Sequence, residues 1–137
     1  MKNVLILCTG NSCRSIIGEA LINHHLGARG VKAYSSGVSP SGTINPDALR
    51  ALKEAGISTD GLSSKTLDKL PINDFDLVVT VCDHANETCP IFAGKAKKVH
   101  CGFEDPSGGE YDGYVKTLKK IEQTLIPLVL ENLQLRQ

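Results

Sequence analysis

The chain is predicted to form one α/β domain with three layers: a four-stranded parallel sheet with helices on both of its faces. Short apolar runs alternate with segments of helical periodicity along all 137 residues. This alternation favours parallel strands joined by crossover helices. The length suits a single domain with an ordinary core. No repeat, low-complexity linker or composition break divides residues 1–137.

Four strands are predicted from apolar, β-branched runs bounded by turn residues. They are residues 3–8, 31–35, 76–81 and the weaker 97–100. In a parallel sheet the ligand site lies beyond the carboxyl ends of the strands. Cys8 and Cys82 both come at such ends, so we expect the two thiols at one edge of the sheet.

The helices are predicted from spacing and capping signals. The first runs from Arg14 to about Leu26, and the second has Asn45 as N-cap and stops near residue 56. A short helix is expected to begin near Ser64. The last helix starts at about residue 110, and Pro127 is expected to kink or interrupt it.

Composition and charge limit the possible partners. Fifteen basic and fifteen acidic residues balance, so no global field favours nucleic acid or an anionic membrane. No apolar run approaches the length of a membrane span, and no secretory signal pattern precedes the first strand. We therefore expect a soluble cytoplasmic protein. Its five cysteines, an odd number, argue against a fixed disulfide framework and are candidates for chemistry.

The segment after the first strand is the strongest functional motif. It reads Cys8, Thr9, Gly10, Asn11, Ser12, Cys13 and Arg14, followed by Ser15. A cysteine, five residues and an arginine between a strand and a helix are typical of a loop whose amides surround a tetrahedral oxyanion. Arg14 can donate two hydrogen bonds to that oxyanion. The positive potential of the loop amides and Arg14 also stabilises the Cys8 thiolate, and the Ser15 hydroxyl is placed to donate to its sulfur. The motif predicts nucleophilic catalysis on phosphate or an analogue of phosphate.

A second pair of thiols, Cys82 and Cys89, brackets a polar segment after the third predicted strand. A phosphatase needs only one thiolate, so this pair calls for its own explanation. One interpretation is redox chemistry, in which Cys82 attacks an intermediate on Cys8 and Cys89 resolves the resulting disulfide. The position of the pair near an oxyanion loop favours this interpretation.

Two other interpretations of the pair remain. Zinc could be bound by Cys82, His84, Cys89 and one of His100 or Cys101, although the spacings differ from the usual short zinc knuckles. Alternatively, the two thiols could be small apolar residues at a strand end and in a loop.

An acidic residue follows the last strand in a loop bounded by glycines. Asp105 precedes Pro106, which favours an extended backbone at the aspartate. A carboxyl group held there can protonate a leaving oxygen. The alternative is a turn aspartate that caps the next helix.

Three further residues, Asn11, Glu19 and Cys13, are candidates for supporting roles. Asn11 is expected to hold the loop through side-chain hydrogen bonds, and Glu19 is either a solvated residue or a partner in that network. Cys13 is either structural or an alternative partner for Cys8. Cys101 has no assignable role.

Taken together, several segments resemble the thioredoxin-coupled arsenate reductases, which share the low-molecular-weight protein tyrosine phosphatase fold. The resemblance covers nearly the whole chain and is carried by Cys8–Ser15, Tyr34–Gly37, Asn45-Pro46, residues 77–90 and residues 102–106. The first loop fits either family. The pair Cys82 and Cys89 selects the reductases.

The resemblance implies a role for each reactive group. Cys8 would attack arsenate, Arg14 and the loop amides would hold its oxygens, and Asp105 would protonate the leaving hydroxyl. Cys82 would then attack Cys8 and release arsenite, and Cys89 would attack Cys82. Thioredoxin would reduce the Cys82–Cys89 disulfide. No cofactor is implied, phosphate and sulfate would act as substrate analogues, and the protein is expected to be a monomer.

Two positions depart from the pattern of some members. In those members a potassium ion is held by groups matching Asn11, Glu19, Ser35 and an aspartate. The aspartate position is Lys65 in this chain. A lysine ammonium group beside Glu19 would take the place of that cation. Cys101 stands where some relatives have tryptophan.

Two other functions are compatible with parts of the sequence. A low-molecular-weight phosphatase acting on phosphotyrosine would share the loop and the acid, but such enzymes usually have an aromatic residue after the Asp-Pro step, where this chain has Ser107. Weak phosphatase activity is compatible with a reductase, because the loop accommodates phosphate. A non-catalytic thiol sensor or oxyanion-binding protein is disfavoured, because nucleophile, arginine and acid are all retained.

Overall fold

The computed structural model describes residues 2–37, 42–72, 74–81, 96–104, 106 and 109–134. Its four strands are β1 (Lys2–Cys8), β2 (Val31–Gly37), β3 (Leu77–Thr80) and β4 (Lys97–His100). They form one sheet in the order β2-β1-β3-β4, and every neighbouring pair is parallel. The predicted fold class is confirmed, and all four carboxyl ends lie at the same edge.

In the part of the chain that the structure describes, three α-helices pack against the sheet. They are α1 (Arg14–Leu26), α2 (Pro46–Glu54) and α3 (Tyr111–Asn132), and short 3-10 helices occupy Gly27–Arg29 and Leu67–Lys69. Asn45 caps α2 as predicted, because its Oδ1 accepts from the backbone N–H groups of Asp47 and Ala48 at 2.9 and 3.4 Å.

The core is divided by the sheet. Val4 and Ile6 of β1 belong to the larger apolar cluster, which includes residues of α1, α2 and α3. Leu5, which alternates with them, packs with Phe75 and Val78 in a smaller cluster. The smaller cluster is flanked by Leu67 and other residues of the 67–72 segment, so the sheet is the middle of three layers.

Helix α1 lies deep in this arrangement. A methyl group added at Gly18 would come within 3.1 Å of a side-chain carbon of Leu125 in α3 and 3.3 Å of one in Ile6. The helix is therefore packed between β1 and α3 at close range, which keeps its N-terminus in a defined position at the sheet edge.

The ends of β1, β2 and β3 differ from the predicted ones by one or two residues, and two of the helix predictions differ more. The short helix expected near Ser64 is found at Leu67–Lys69. Helix α3 is not interrupted at Pro127 but continues to Asn132. Val129 is fully buried and Leu130 nearly so, and the burial of residues beyond the proline outweighs the loss of one backbone hydrogen bond. None of the described helices is both long enough and apolar enough to span a membrane.

Candidate active site

The oxyanion-loop motif occupies the position that the sequence predicted. Cys8 is the last residue of β1 and only 3% exposed, and α1 begins at Arg14. The loop between them therefore joins a buried strand to a helix N-terminus, where unpaired amides and the helix dipole favour an anion.

Two carbonyl groups of the loop are held from outside. The Gly10 carbonyl accepts a hydrogen bond from Ser64 Oγ at 3.1 Å, and the Ser12 carbonyl accepts one from the Asn45 backbone N–H at 2.9 Å. A trans peptide group points its N–H away from its C=O, and no peptide bond of the described chain is cis. The amides that follow these carbonyls therefore point away from the anchoring groups, as an oxyanion site requires.

Asn11 holds the turn of the loop. It is fully buried and has a left-handed backbone with φ of 47°, which asparagine tolerates better than most residues. Its Nδ2 donates to Ser15 Oγ at 2.8 Å and to Ser35 Oγ at 3.0 Å. Its Oδ1 accepts from the Lys65 backbone N–H at 2.8 Å. Because Ser15 Oγ accepts from Asn11, its own proton remains available for a further acceptor. The expected structural role of Asn11 is confirmed.

A buried carboxylate completes this network. Ser35 Oγ donates to Glu19 Oε1 at 2.5 Å, and Lys65 Nζ lies 4.0 Å from the same oxygen. Burial raises the pKa of Glu19, while the hydrogen bond from Ser35 and the charges of Lys65 and Lys32 lower it again. Burial also lowers the pKa of Lys65, against the attraction of Glu19. Glu19 is thus a network partner rather than a solvated residue.

These donors do not fit a resident potassium ion. The position that would supply a second carboxylate carries Lys65, whose ammonium group faces Glu19 and donates to the Ser63 carbonyl at 2.8 Å. A cation beside Glu19 would be repelled by the ammonium group of Lys65.

The buried carboxyl predicts a pH-dependent stability. The pKa of Glu19 is raised above the value near 4.5 that it has in an unfolded chain. The stability that this group contributes is therefore complete below pH 4.5 and is lost as the pH rises through the folded-state pKa. Glu19→Gln lacks this titrating carboxyl group, so the stability of the variant relative to the wild type should increase as the pH rises from about 4 to 8. Urea unfolding at closely spaced pH values measures the difference.

Glu54→Gln provides the control with the opposite sign. Glu54 is exposed, and hydrogen bonds from Tyr111 and Arg50 lower its pKa. Its contribution is present above pH 4.5 and lost as the pH falls. If the stability of Glu19→Gln relative to the wild type instead decreased as the pH rose, Lys65 and Ser35 would lower the pKa of Glu19 by more than burial raises it.

A glycine allows β2 to approach the loop. Gly37 pairs with Cys8 across the sheet, and its N–H donates to the Lys65 carbonyl at 2.8 Å. A Cβ at this position would lie 2.6 Å from the Thr9 carbonyl oxygen and 3.0 Å from Asn11 Cβ. Only glycine fits there without movement of the backbone.

Arg14 connects the loop to the segment after β4. Its Nη1 donates to the Phe103 carbonyl at 3.0 Å. Phe103 is buried, and its own N–H donates to the Val81 carbonyl at 3.1 Å. The residues that lead to position 105 are therefore tied both to the arginine of the motif and to the end of β3.

The remaining predicted site residues fall in part outside the described residues. Cys82, Cys89 and Asp105 lie there, as do His84 of the zinc interpretation and Ser107. Within the described ranges, no cluster of three histidine, cysteine or acidic side chains could hold a metal ion.

The backbone immediately before Cys82 lies beside the backbone immediately before Cys8. The Val81 N–H donates to the Leu7 carbonyl at 3.0 Å. Val81 immediately precedes Cys82 and Leu7 immediately precedes Cys8, so the two chain segments run side by side up to the residue before each thiol.

The other two cysteines have different surroundings. Cys13 is buried at the N-cap of α1. Cys101 is partly exposed, and burial raises the pKa of its thiol, which keeps it in the less reactive form. The sequence had no signal for the contacts of Ser64 and Phe103, because their partners are more than 50 residues away in the chain.

Comparisons of the sequence identify relatives over most of its length. The sequence pattern of the low molecular weight phosphotyrosine protein phosphatase family matches residues 3–137. An arsenate reductase of Brevibacillus brevis is 39% identical over 120 residues, which cover 88% of each chain. Arsenate reductase 2 of Staphylococcus haemolyticus is 38% identical over 124 residues, covering 90% of this chain and 93% of the relative.

Solved structures agree with this result. A crystal structure of an arsenate reductase from Archaeoglobus fulgidus superimposes with a TM-score of 0.76 at 32% identity, covering 92% of this chain and 98% of the other. A low molecular weight protein tyrosine phosphatase from T. tengcongensis gives a TM-score of 0.78 at 27% identity, covering 96% and 99%. The resemblance inferred from the sequence motifs is confirmed. The chain belongs to the low molecular weight phosphotyrosine protein phosphatase family.

Proposed function

We propose that this protein reduces arsenate to arsenite through a covalent Cys8–arsenic adduct and a relay of Cys8, Cys82 and Cys89. One observation carries the proposal: the backbone N–H of Val81, the residue after β3, donates to the Leu7 carbonyl of β1. The residue that follows each of them is a cysteine. Phosphate ester hydrolysis needs only one thiolate, whereas reduction of arsenate requires a second thiol to accept the bond to Cys8. Relatives named arsenate reductases support the same conclusion.

The loop would hold arsenate as it would hold phosphate, because both are tetrahedral oxyanions. The amides from Thr9 to Cys13 and the Arg14 guanidinium group would donate to the oxygens. The Cys8 thiolate attacks arsenic and an oxygen leaves as water, with the proton supplied by Asp105. The product of this step is a Cys8–arsenic(V) adduct.

Reduction then requires a second thiolate. Cys82 attacks the sulfur of Cys8, a sulfur–sulfur bond forms, and the sulfur–arsenic bond breaks with its electron pair on arsenic. Arsenic(V) becomes arsenic(III), and the two thiols are oxidised to the Cys8–Cys82 disulfide. Cys89 attacks Cys82, returns Cys8 as a thiolate and leaves the Cys82–Cys89 disulfide. A thioredoxin dithiol then reduces this disulfide.

A phosphatase that acts on phosphotyrosine is the second candidate. It is favoured by the family pattern and by the fold shared with a protein tyrosine phosphatase. On a phosphate ester the same Cys8 attack breaks the ester phosphorus–oxygen bond, gives a phosphocysteine and releases the alcohol, protonated by Asp105. Water then hydrolyses the phosphocysteine, because phosphorus(V) is not reduced by thiols under these conditions. We propose that this is at most a weak side activity.

A coupled assay tests the proposal. Purified protein with thioredoxin, thioredoxin reductase and NADPH should consume NADPH only when arsenate is added. Parallel reactions with glutaredoxin and glutathione identify the electron donor, and an aryl phosphate reports phosphatase turnover. NADPH consumption that does not depend on arsenate, or aryl phosphate hydrolysis as the only activity, would contradict the proposal.

The proposed mechanism also indicates the cellular compartment and the oligomeric state. The relay must return to the dithiol state after every cycle, which requires a reducing compartment such as the cytoplasm. Each reactive group of the proposed mechanism comes from one chain, so we propose that the protein acts as a monomer.

A further inference from the structure

We propose that the Tyr114 hydroxyl is a positioning group for the oxyanion loop and acts through Asn45. The inference rests on the proposed function only in so far as the loop binds an oxyanion. Tyr114 belongs to α3 and is 2% exposed. It lies outside the predicted catalytic set and comes 100 positions after Arg14 in the sequence.

Asn45 connects three parts of the molecule. Its side-chain oxygen caps α2 through the N–H of Asp47 at 2.9 Å. Its backbone N–H donates to the Ser12 carbonyl of the loop at 2.9 Å. Its Nδ2 donates to the Tyr114 hydroxyl oxygen at 3.0 Å. The same residue therefore fixes the start of α2, one carbonyl of the loop and the contact with α3.

The Tyr114 hydroxyl restrains the orientation of this residue. Asn45 is half-buried, so without its acceptor on α3 the amide is held only through its oxygen, by the cap on α2, and its Nδ2 can tilt towards water. The backbone N–H that holds Ser12 belongs to the same residue and would move with it. Since the Ser12 carbonyl and the following amide share one peptide plane, a shift there reorients a donor to the oxyanion.

A second tyrosine on the same helix provides a matched control. Tyr111 donates to Glu54 Oε1 at 2.9 Å, and Arg50 lies 3.9 Å above its ring. This contact also joins α3 to α2, but at the carboxyl end of α2. Each tyrosine hydroxyl therefore makes one hydrogen bond between α3 and one end of α2, Tyr111 at Glu54 and Tyr114 at the N-cap Asn45. Of the two, only Tyr114 bonds to the residue that holds the loop.

Alkylation of Cys8 by iodoacetamide, followed by mass spectrometry of its peptide, provides the test. Its rate against pH gives the midpoint of thiolate formation, and protection by inorganic phosphate gives the affinity of the loop. We expect Tyr114→Phe to raise the phosphate concentration for half-protection by about three- to tenfold, as for the loss of one hydrogen bond, and to raise the midpoint pH. Tyr111→Phe should change the phosphate concentration less than about twofold.

A second variant guards against a folding defect. Asn45→Ser keeps an N-cap for α2 but loses the bond to Tyr114, so it should reproduce the effect of Tyr114→Phe. Equal effects of Tyr114→Phe and Tyr111→Phe would overturn the inference, because both would then act only by holding α2 on α3. An unchanged loop in Tyr114→Phe and Asn45→Ser would also overturn it. Failure of phosphate to protect wild-type Cys8 would instead contradict the oxyanion loop of the proposed function.

Discussion

Cys89→Ser should release about one arsenite per chain and then stop, with Cys8 and Cys82 joined in a disulfide. Cys8 and Cys82 supply both electrons for one reduction, so the first turnover does not need Cys89. Without it, Cys8 is not released and cannot attack a second arsenate. Arsenite counted per chain, together with mass spectrometry of the cysteine peptides, measures the outcome.

Two variants complete this experiment. Cys8→Ser should release no arsenite, because the adduct cannot form. Cys101→Ser should turn over like the wild type, since Cys101 has no place in the relay and burial raises the pKa of its thiol. Repeated turnover of Cys89→Ser with thioredoxin at the wild-type rate would show that the order of the relay is wrong.

Gly37→Ala should destabilise the protein by about 1–3 kcal/mol, the usual cost of overpacking, and should weaken oxyanion binding. The added methyl group would lie 2.6 Å from the Thr9 carbonyl oxygen and 3.2 Å from the Asn11 backbone nitrogen. Both are backbone atoms of the loop, so a side-chain rotation cannot relieve the contact. Either β2 or the loop must move, and β2 is held by the pairing of Gly37 with Cys8.

Gly27→Ala is the control for the glycine substitution itself. Gly27 has a helical backbone with φ of −57°, and no heavy atom lies within 4 Å of the position of an added Cβ. Alanine there should be neutral or stabilise by up to about 1 kcal/mol. Urea unfolding and phosphate protection of Cys8 should therefore separate the two variants. Equal behaviour of both would mean that the loop adapts to the methyl group without cost.

The fold class and the loop motif could be predicted because their signals are local. The apolar run before Cys8, the five-residue spacing to Arg14 and the Asn45-Pro46 helix start each lie within a few neighbouring residues. The parallel sheet followed from the alternation of such segments. The carboxyl-edge position of Cys8 followed in turn from the sheet.

The contacts that shape the loop could not be predicted in the same way. Ser64, Gly37 and Tyr114 have ordinary local surroundings in the sequence, and their roles arise from partners on other elements. The continuation of α3 through Pro127 has a similar origin, since the burial of Val129 beyond it depends on the rest of the core.

The sequence by itself predicted the chemistry: a thiolate, an arginine and a set of amides at the end of a buried strand, with the thiols of Cys82 and Cys89 in the same chain. Local residue types and short spacings are sufficient for that conclusion. Only the tertiary structure decided how the loop is held. Ser64 and Asn45 donate hydrogen bonds to two of its carbonyl groups. Lys65 bonds to Asn11 directly, and Glu19 is linked to Asn11 through Ser35. These contacts join residues far apart in the chain, so they form only when the sheet and the helices pack.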